Sequence, residues 1–233
     1  MMARPSRTSA SVRPQNALIV NADDFGFATG VNDGIVEAHV NGIVTSTSLM
    51  VDWPAAAHAV TLARGHPRLS LGLHYVEDGP EIDEPGHVAR TFAAQLDRFR
   101  ELTGSDPTHV DSHHHVHMGR LSTFAPMVAP LGVPLRGDGR VRYVGDFYAQ
   151  PRPGVVELDR VRPPFLLELI AHEAARAGFT ELGCHPARVT SDLVSSYSHE
   201  REVELATLTD PDVRARIEEF GLALASYHDW PRS

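Results

Sequence analysis

The sequence contains no lysine, because all 21 of its Lys and Arg positions are arginine. Chemistry that needs a lysine amine is therefore excluded: a Schiff base, a pyridoxal anchor, the phosphate-binding lysine of a P-loop and a carboxylated lysine between two metals. Cysteine is almost absent too, since Cys184 is the single one and cannot form an internal disulfide. The sequence gives no sign of an oxidising compartment, and we expect a cytoplasmic protein.

Long apolar runs are also missing. No stretch of about 18 apolar residues occurs, so no membrane-spanning helix is predicted. Positive charge is scarce, with 21 basic against 30 acidic side chains and a formal net charge of -9. This balance disfavours nucleic acids and anionic membranes as partners, and it is easier to reconcile with a small neutral or cationic substrate.

Length and composition favour one domain preceded by a tail. The 233 residues are 42% hydrophobic, which is enough for one large core. The first fifteen residues combine arginine, serine and proline without an apolar stretch, unlike a secretion signal. We predict a disordered tail over 1–15 and a single catalytic, barrel-like domain over 16–233.

From residue 16 onward, short apolar runs alternate with segments of helical periodicity, the pattern of repeated βα units around a parallel sheet. The predicted fold class is α/β, a distorted or incomplete (β/α) barrel of about seven parallel strands, with an open doubly wound sheet as the alternative. The segment 137–164 is long for a connector and is predicted to be a functional loop. The predicted strands span 17–21, 44–51, 69–75, 108–113, 133–136, 181–185 and 222–227.

Polar side chains collect where the predicted strands end. In a parallel barrel these ends form one face, and that face carries the active site. Residues far apart in the sequence are therefore predicted to converge. They are Asn21, Asp23 and Asp24 at the end of the first strand, His74 at the end of the third, Asp111 and His113 of the fourth, Arg136 and Asp138 of the fifth, and His185 of the sixth.

Histidine is abundant, with 14 in the chain and a cluster at the end of the fourth predicted strand. So many imidazoles in one place favour metal binding. If the extended conformation continues, Asp111, His113, His115 and His117 share one face and His114 points away. His115 and His117 are thus candidate secondary or alternate ligands, and His114 is the weakest candidate.

Taken singly, these residues have simpler interpretations. Asp23 and Asp24 fit a turn that leads into a helix, and His74 and His185 fit packing roles. Taken jointly, two imidazoles and one carboxylate fit a mononuclear hydrolytic metal site that leaves positions for water and substrate. Adjacent carboxylates can divide the work, because one can ligate while the other serves as a base, and His185 is a candidate acid.

Five segments, in the same order along residues 17–228, resemble the YdjC-type carbohydrate deacetylases, whose best-known members deacetylate chitooligosaccharides. They are NADDFG, LGLHY, THVDSHHHVHM, PLRGD and ELGCHPA. The resemblance implies a divalent metal held by Asp24, His74 and His113. It also implies a general base at Asp23 and a general acid at His185.

The same resemblance places Arg136 at a family arginine, which by its charge could orient the base or contact the substrate. Pairing with Asp138 is the simpler interpretation of an arginine at a strand end. The implied reaction removes an N-acetyl group from a small acetylated amino sugar and gives acetate and a free amine. Relatives are often dimers, so a homodimer is a further expectation.

The segment between His74 and His113 is shorter than we expect of members that act on chitooligosaccharides. A mono- or disaccharide, or a small glycoconjugate, is therefore an alternative to long oligomers. Aromatic residues near the predicted site are candidates for sugar contact, although those in the long loop could simply pin that loop to the barrel. The candidates are Tyr75, Tyr143, Phe147 and Tyr148.

Two questions stay open at this point. The ligand types suit Zn²⁺, whereas open sites with several waters accept Mg²⁺, the metal commonly described for the family. The function has two rivals: another barrel metallohydrolase of the amidohydrolase or phosphoesterase type, and a noncatalytic metal- or carbohydrate-binding protein. The first usually has a histidine pair after the first strand, where this chain has two aspartates, and the second needs neither an acid nor a base.

Overall fold

The computed structural model describes residues 16–77 and 86–231. Strands and helices alternate through most of this length, as the periodicity predicts. Short 3₁₀ segments span His113–His115, Met118–Arg120, Ala129–Leu131 and Leu158–Val161. The elements are β1 (Asn16–Phe25), α1 (Thr29–Asn41), β2 (Ser46–Leu49), α2 (Ala56–Gly65), β3 (Ser70–Tyr75), α3 (His87–Thr103), β4 (Val110–Ser112), α4 (Leu121–Val128), β5 (Arg142–Val144), α5 (Pro163–Ala174), β6 (Gly178–Cys184), α6 (His199–Leu208), α7 (Pro211–Glu219) and β7 (Ala223–Ala225).

The strands form one parallel sheet in the order β4-β3-β2-β1-β6-β5, curled into a half-barrel. The seventh strand pairs with the beginning of β1, where Ala223 lies beside Ala17. The second strand pairs with the end of β1, where Ser46 lies beside Asn21. One edge of β1 therefore serves two neighbours. The predicted incomplete barrel of parallel strands is confirmed over the described residues.

The first strand lies at the centre of the sheet and divides its side chains between two packed regions. Leu18 and Val20 belong to the large core beneath the helices, whereas Ala17 and Ile19 belong to a smaller cluster shared with β7. This alternation is the two-residue period of a strand. Asp23 falls on the same alternating set as Ala17 and Ile19, and it follows them at the carboxyl end of the strand.

The region around the fifth predicted strand differs from the prediction. Residues 133–136 form a single parallel bridge, between Leu135 and Val110, and β5 instead lies inside the segment predicted as a loop. The reason is local: Pro134 has no N–H to donate to a ladder, and Gly137 turns the chain at a φ of 81°. The predicted strand is therefore too short to count as one, although it still delivers Arg136 to the barrel.

The predicted disordered tail, 1–15, lies outside the described residues. Cys184 is buried and free. Of the helices found in 16–77 and 86–231, none has both the length and the apolar content needed to span a membrane.

Candidate metal centre and active site

A cavity of about 600 Å³ opens at the carboxyl ends of the central strands. Its walls include Asp23 and Asp24 from β1, His74 from β3 and His185 directly after β6. His113, the first residue after β4, completes this set. The structure thus brings five of the nine residues predicted to converge into one cavity. Asn21, Asp111 and Arg136 contact Asp23 or His74 from behind the cavity wall, whereas Asp138 is not part of this group.

Asp23 and Asp24 are adjacent in β1, yet both line the cavity. In a regular strand their side chains would point to opposite faces. The register of β1 against β2 shifts between Ala22 and Phe25, and Asp24 has a φ of 68°, in the left-handed region. That conformation costs an ordinary residue roughly 1 kcal/mol or more. The resulting bulge presents two neighbouring acids to one site.

Asp24, His74 and His113 form a compact group of metal-ligand type. Oδ1 of Asp24 lies 3.3 Å from Nε2 of His74 and 3.0 Å from Nδ1 of His113. One ligand atom from each of the three residues lies within 4.8 Å of the others. Nε2 of His74 is buried and has no hydrogen-bond partner among the described residues. A divalent ion fits this group, because two imidazoles and one carboxylate would ligate it. The ion would also give Nε2 of His74 a partner.

Asp111 fixes the orientation of His74 from the side away from Asp24. Its Oδ1 lies 2.7 Å from Nδ1 of His74, and its Oδ2 accepts a hydrogen bond of 2.8 Å from Ser48. This contact keeps a proton on Nδ1 and turns Nε2 toward Asp24. Burial disfavours a charge on His74, but Asp111 and Asp24 outweigh it and raise its pKa to about 10. Carboxylates that attract a proton this strongly also attract a metal cation.

Asp23 has a different partner, the guanidinium of Arg136. Nη1 of Arg136 donates to Oδ2 of Asp23 at 2.7 Å, and Nη2 donates to Oδ1 at 2.7 Å. Burial alone would raise the pKa of Asp23, but Arg136 outweighs it and holds the pKa below its ordinary value. Asp23 is therefore a fixed, ionised carboxylate beside the metal-type group.

This geometry decides between the predicted roles of Arg136. Its side chain is buried, with an exposed fraction of 1%, so the predicted contact with substrate is wrong and its contact with Asp23 is the one formed. The alternative pairing with Asp138 is also wrong. Asp138 instead accepts hydrogen bonds from the N–H of Leu135 and from the side chain of Arg140.

His185 faces Asp23 from the other side of the cavity. Its Nε2 lies 3.9 Å from Oδ2 of Asp23. Its backbone N–H donates to Oε2 of Glu204 at 2.5 Å, and its ring lies 5.4 Å from that of Tyr148. Burial lowers the pKa of the imidazole to about 4. His185 is therefore neutral near pH 7 and close enough to Asp23 to exchange a proton after a small movement.

The histidine cluster does not continue in extended form, so the predicted shared face is wrong. The strand ends at Ser112, and His114 and His115 both have a φ of 53°. His117 is consequently turned into the protein: Nδ1 lies 2.5 Å from Oγ of Ser112, and Nε2 lies 2.9 Å from the carbonyl oxygen of Arg136. Both nitrogens are engaged, which excludes His117 as a ligand in this conformation.

His115 and His114 both line the cavity. Nε2 of His115 lies 3.2 Å from the hydroxyl of Tyr143, and its buried Nδ1 has no hydrogen-bond partner within the part of the chain that the structure describes. His115 therefore belongs to the wall of the site, although the compact group of possible ligands does not include it. His114 is exposed, as expected for the weakest candidate.

The predicted substrate-binding aromatics fall into two classes. Tyr143 and Tyr148 line the cavity, and the ring of Tyr148 stacks on that of Tyr197 with centroids 4.5 Å apart. The predictions for Phe147 and Tyr75 are wrong, because both side chains lie in the core. Tyr75 is held there by the ring of Phe124, 5.1 Å away.

The residues that α6 brings to the site are not among those predicted from the sequence. Nη2 of Arg201 donates to Oδ2 of Asp24 at 2.6 Å, and the arginine is 4% exposed. Glu204 accepts hydrogen bonds from Tyr197 and from the backbone of His185, and burial raises its pKa to about 8. The sequence does contain a pattern that indicates this contact, because Arg201 and Leu208 lie seven positions apart and therefore on one face of the helix. An arginine on the apolar face of a helix needs an acidic partner.

Comparisons with known proteins match the chain to one family model, to curated relatives and to a solved structure. The family described as YdjC-like protein matches residues 17–81 and 81–219. A carbohydrate deacetylase of Geobacillus stearothermophilus is 37% identical over 91% of this chain and 97% of its own length. A chitooligosaccharide deacetylase of Enterobacter sp. (strain 638) is 34% identical over 91% of this chain and 98% of its own. A crystal structure of a protein from Enterococcus faecalis V583 superposes with a TM-score of 0.78 at 27% identity, covering 92% of this chain and 98% of that one.

Proposed function

Because the chain belongs to the YdjC-like family, we propose that it is a metal-dependent hydrolase that removes the N-acetyl group of an acetylated amino sugar. The products are acetate and a free amine. One observation carries the proposal: a carboxylate locked by Arg136 lies between a metal-type group and His185 in one cavity. Such a site contains a Lewis-acid position, a base and an acid, which together are what amide hydrolysis needs.

Asp24, His74 and His113 would hold one divalent ion. When bound, the ion would polarise the acetamide carbonyl and make a water molecule more acidic. The three side chains suit Zn²⁺ by ligand type, while the remaining open positions also suit Mg²⁺. Asp111 supports the site by holding His74 in the tautomer that ligation requires.

Asp23 acts as the general base. Its two oxygens are held by Arg136, so it points at the cavity in one orientation and is ionised before the reaction begins. Ligand atoms of Asp23 and His74 lie within 4.8 Å of each other, so Asp23 would lie beside a water molecule that an ion on Asp24, His74 and His113 makes more acidic. A fixed, ionised carboxylate next to the attacking water is the arrangement that general base catalysis needs.

His185 acts as the general acid. The imidazole is neutral in the free enzyme, so it must first gain a proton before it can donate one to the departing amine. The proton that Asp23 removes from water is the source, because the two side chains lie 3.9 Å apart. The backbone of His185 is anchored by Glu204, which keeps the ring on the side where the amine leaves.

The sugar ring is placed on the His185 side of the cavity, against Tyr148. That ring is backed by Tyr197, whose hydroxyl donates to Glu204 and accepts from the N–H of Ala149. An aromatic face held in this way offers an apolar platform to a pyranose at little cost in entropy. A cavity of about 600 Å³ accommodates one or two sugar units more readily than a long chain.

The assay is acetate release from N-acetylglucosamine and from its acetylated disaccharide, after reconstitution with Mg²⁺, Mn²⁺ or Zn²⁺. We expect turnover that stops when a chelator removes the metal. A panel of phosphoesters run alongside covers the metallophosphoesterase alternative. Hydrolysis of a phosphoester with no acetate from any acetylated sugar would disprove the proposal.

The compartment, the oligomeric state and the partners of the enzyme are a separate part of the proposal. We propose a cytoplasmic enzyme that forms a homodimer and acts on a small sugar rather than on nucleic acid or membranes. The single buried cysteine fits a reducing compartment. Light scattering on the purified chain tests the dimer, and a monomer at micromolar concentration would contradict it.

A further inference from the structure

The guanidinium of Arg136 is surrounded by acids from three different strands. Its Nη2 lies 2.7 Å from Oδ1 of Asp23, 2.7 Å from Oδ2 of Asp111 and 2.6 Å from Oε1 of Glu181. An –NH₂ group has two hydrogens, so it cannot donate a well-aligned hydrogen bond to three oxygens at once. The three oxygens instead surround the nitrogen as ligand oxygens surround a compact cation.

Two of these acids, Asp23 and Asp111, also belong with His74 to a second group of possible metal ligands. Ligand atoms of Asp23, His74 and Asp111 lie within 4.8 Å of one another, as do those of the Asp24 group. The two groups share His74, which presents Nδ1 to Asp111 and Nε2 to Asp24. A site rich in carboxylates suits Mg²⁺ or Mn²⁺. The backbone therefore brings together the side chains of a two-cation centre.

We propose that the guanidinium of Arg136 is the second cation of this centre. It fills the position that a second divalent ion would take, and so keeps the enzyme mononuclear. The first cation is the ion proposed at Asp24, His74 and His113, so the inference rests on the proposed function. The three acids around Arg136 are seen in the structure without that ion and without a substrate.

Several contacts keep Arg136 in place. Its Nε donates to Glu181 at 2.9 Å, and Glu181 is held in turn by the hydroxyl of Tyr227 at 2.7 Å. The backbone of Arg136 donates to Val110 at 2.9 Å and accepts from His117 at 2.9 Å. Only 1% of the surface of Arg136 is exposed, so ions in solution cannot reach the guanidinium and displace it. A covalently attached cation keeps Asp23 ionised whatever the metal concentration is, and it prevents Asp23 from becoming a metal ligand.

The test is a count of bound Mn²⁺ in four forms of the full chain, by elemental analysis after dialysis and by anomalous diffraction. We expect one ion in the wild type, none in His113→Ala and two in Arg136→Ala. The double variant should bind one ion, and that ion should lie between Asp23 and Asp111. Arg142→Ala is the matched control, since Arg142 of β5 pairs with Glu173 of α5 away from the cavity, and it should bind one ion. These counts do not depend on turnover, so they stand apart from the deacetylase assay.

A second measurement covers poor folding of the alanine variant. In the His113→Ala background, Mn²⁺ should raise the melting temperature of the Arg136→Ala double variant by about 5–10 °C and leave the single variant unchanged. Arg136→Lys supplies an ammonium and should keep the count at one. The inference is overturned if Arg136→Ala binds no more Mn²⁺ than the wild type, if the lysine variant binds a second ion, or if Arg136→Ala stays unfolded with Mn²⁺ at millimolar concentration.

Discussion

Asp23 and Asp24 are adjacent residues of the same type and both line the cavity, yet the structure gives them different partners. Both oxygens of Asp23 are taken by Arg136, whose side chain is sealed inside the barrel. Asp24 gives one oxygen to Arg201 and turns the other toward two histidines beside the cavity. We refer to these regions as the sealed side and the open side.

The role of each carboxylate is set by the side chains that other elements bring to it. A guanidinium that engages both oxygens leaves a charge that can accept a proton but has little freedom to ligate. A guanidinium that engages one oxygen leaves the second available to a metal. Sequence adjacency therefore says nothing about shared function at this site, and each acid needs its own test.

The largest expected effect comes from exchanging each acid for its amide. Asp23→Asn should lower kcat about 10³-fold and leave the metal content unchanged, because it removes a base and no ligand. Asp24→Asn should lose the metal as well as the activity. Acetate release and elemental analysis on the same preparations measure both quantities. Equal metal loss in the two variants would show that the two sides are not distinct.

The second largest effect is expected from removing Arg201, the cation that pairs with Asp24 on the open side. Arg201→Gln leaves Oδ2 of Asp24 buried without its cation, and we expect a loss of about 3 kcal/mol in the free energy of unfolding at pH 7. Arg142→Gln, which breaks a half-buried pair with Glu173, should cost about 1 kcal/mol or less. Chemical denaturation of both variants gives the comparison.

The pH dependence of the Arg201→Gln effect identifies its cause. Burial would raise the pKa of Asp24, but Arg201 outweighs it and holds that pKa well below its ordinary value of 3.8. A lowered pKa in the folded state stabilises the protein above the ordinary pKa, and this contribution is lost as the pH falls through the folded value. The difference between variant and wild type should therefore be constant above about pH 5 and shrink below about pH 4. A difference that is independent of pH would assign the loss to packing instead.

The fold and the set of converging residues could be predicted from the sequence, because both depend on periodicity. Apolar runs locate β1 and β3, and a parallel sheet then brings His74 and His185 to the same face as Asp23. These inferences need no knowledge of backbone detail. They hold wherever a strand is long enough for its pattern to be read.

Features that depend on a single backbone angle could not be predicted. The positive φ of Asp24 makes the bulge, and the positive φ of His114 and His115 ends the extended run that would have aligned the histidines. These conformations are uncommon outside glycine, and composition gives no warning of them. The contribution of Arg201 was missed for another reason, since it depends on how α6 docks against the barrel.

A smaller effect should follow from changing the platform on the open side. Tyr148→Ala removes the ring that stacks on Tyr197, and we expect KM to rise about tenfold with a change in kcat of less than threefold. Tyr148→Phe keeps the ring and should restore KM. Initial-rate kinetics on the acetylated disaccharide provide the measurement. A loss confined to kcat would move Tyr148 from substrate binding to the chemistry.

The smallest effect is expected on the sealed side, from Tyr227→Phe. The substitution removes one hydrogen bond to Glu181 and keeps the ring that stacks on His109. Glu181 still holds Arg136 through its other oxygen, so the free energy of unfolding should fall by about 1 kcal/mol while kcat changes less than threefold. Tyr197→Phe is the matched change on the open side, and it should lower kcat more, since Glu204 links Tyr197 to His185. If Tyr227→Phe lowered kcat as much as Tyr197→Phe, Asp23 would be held less firmly than its contacts with Arg136 indicate, and the distinction between the two sides would fail.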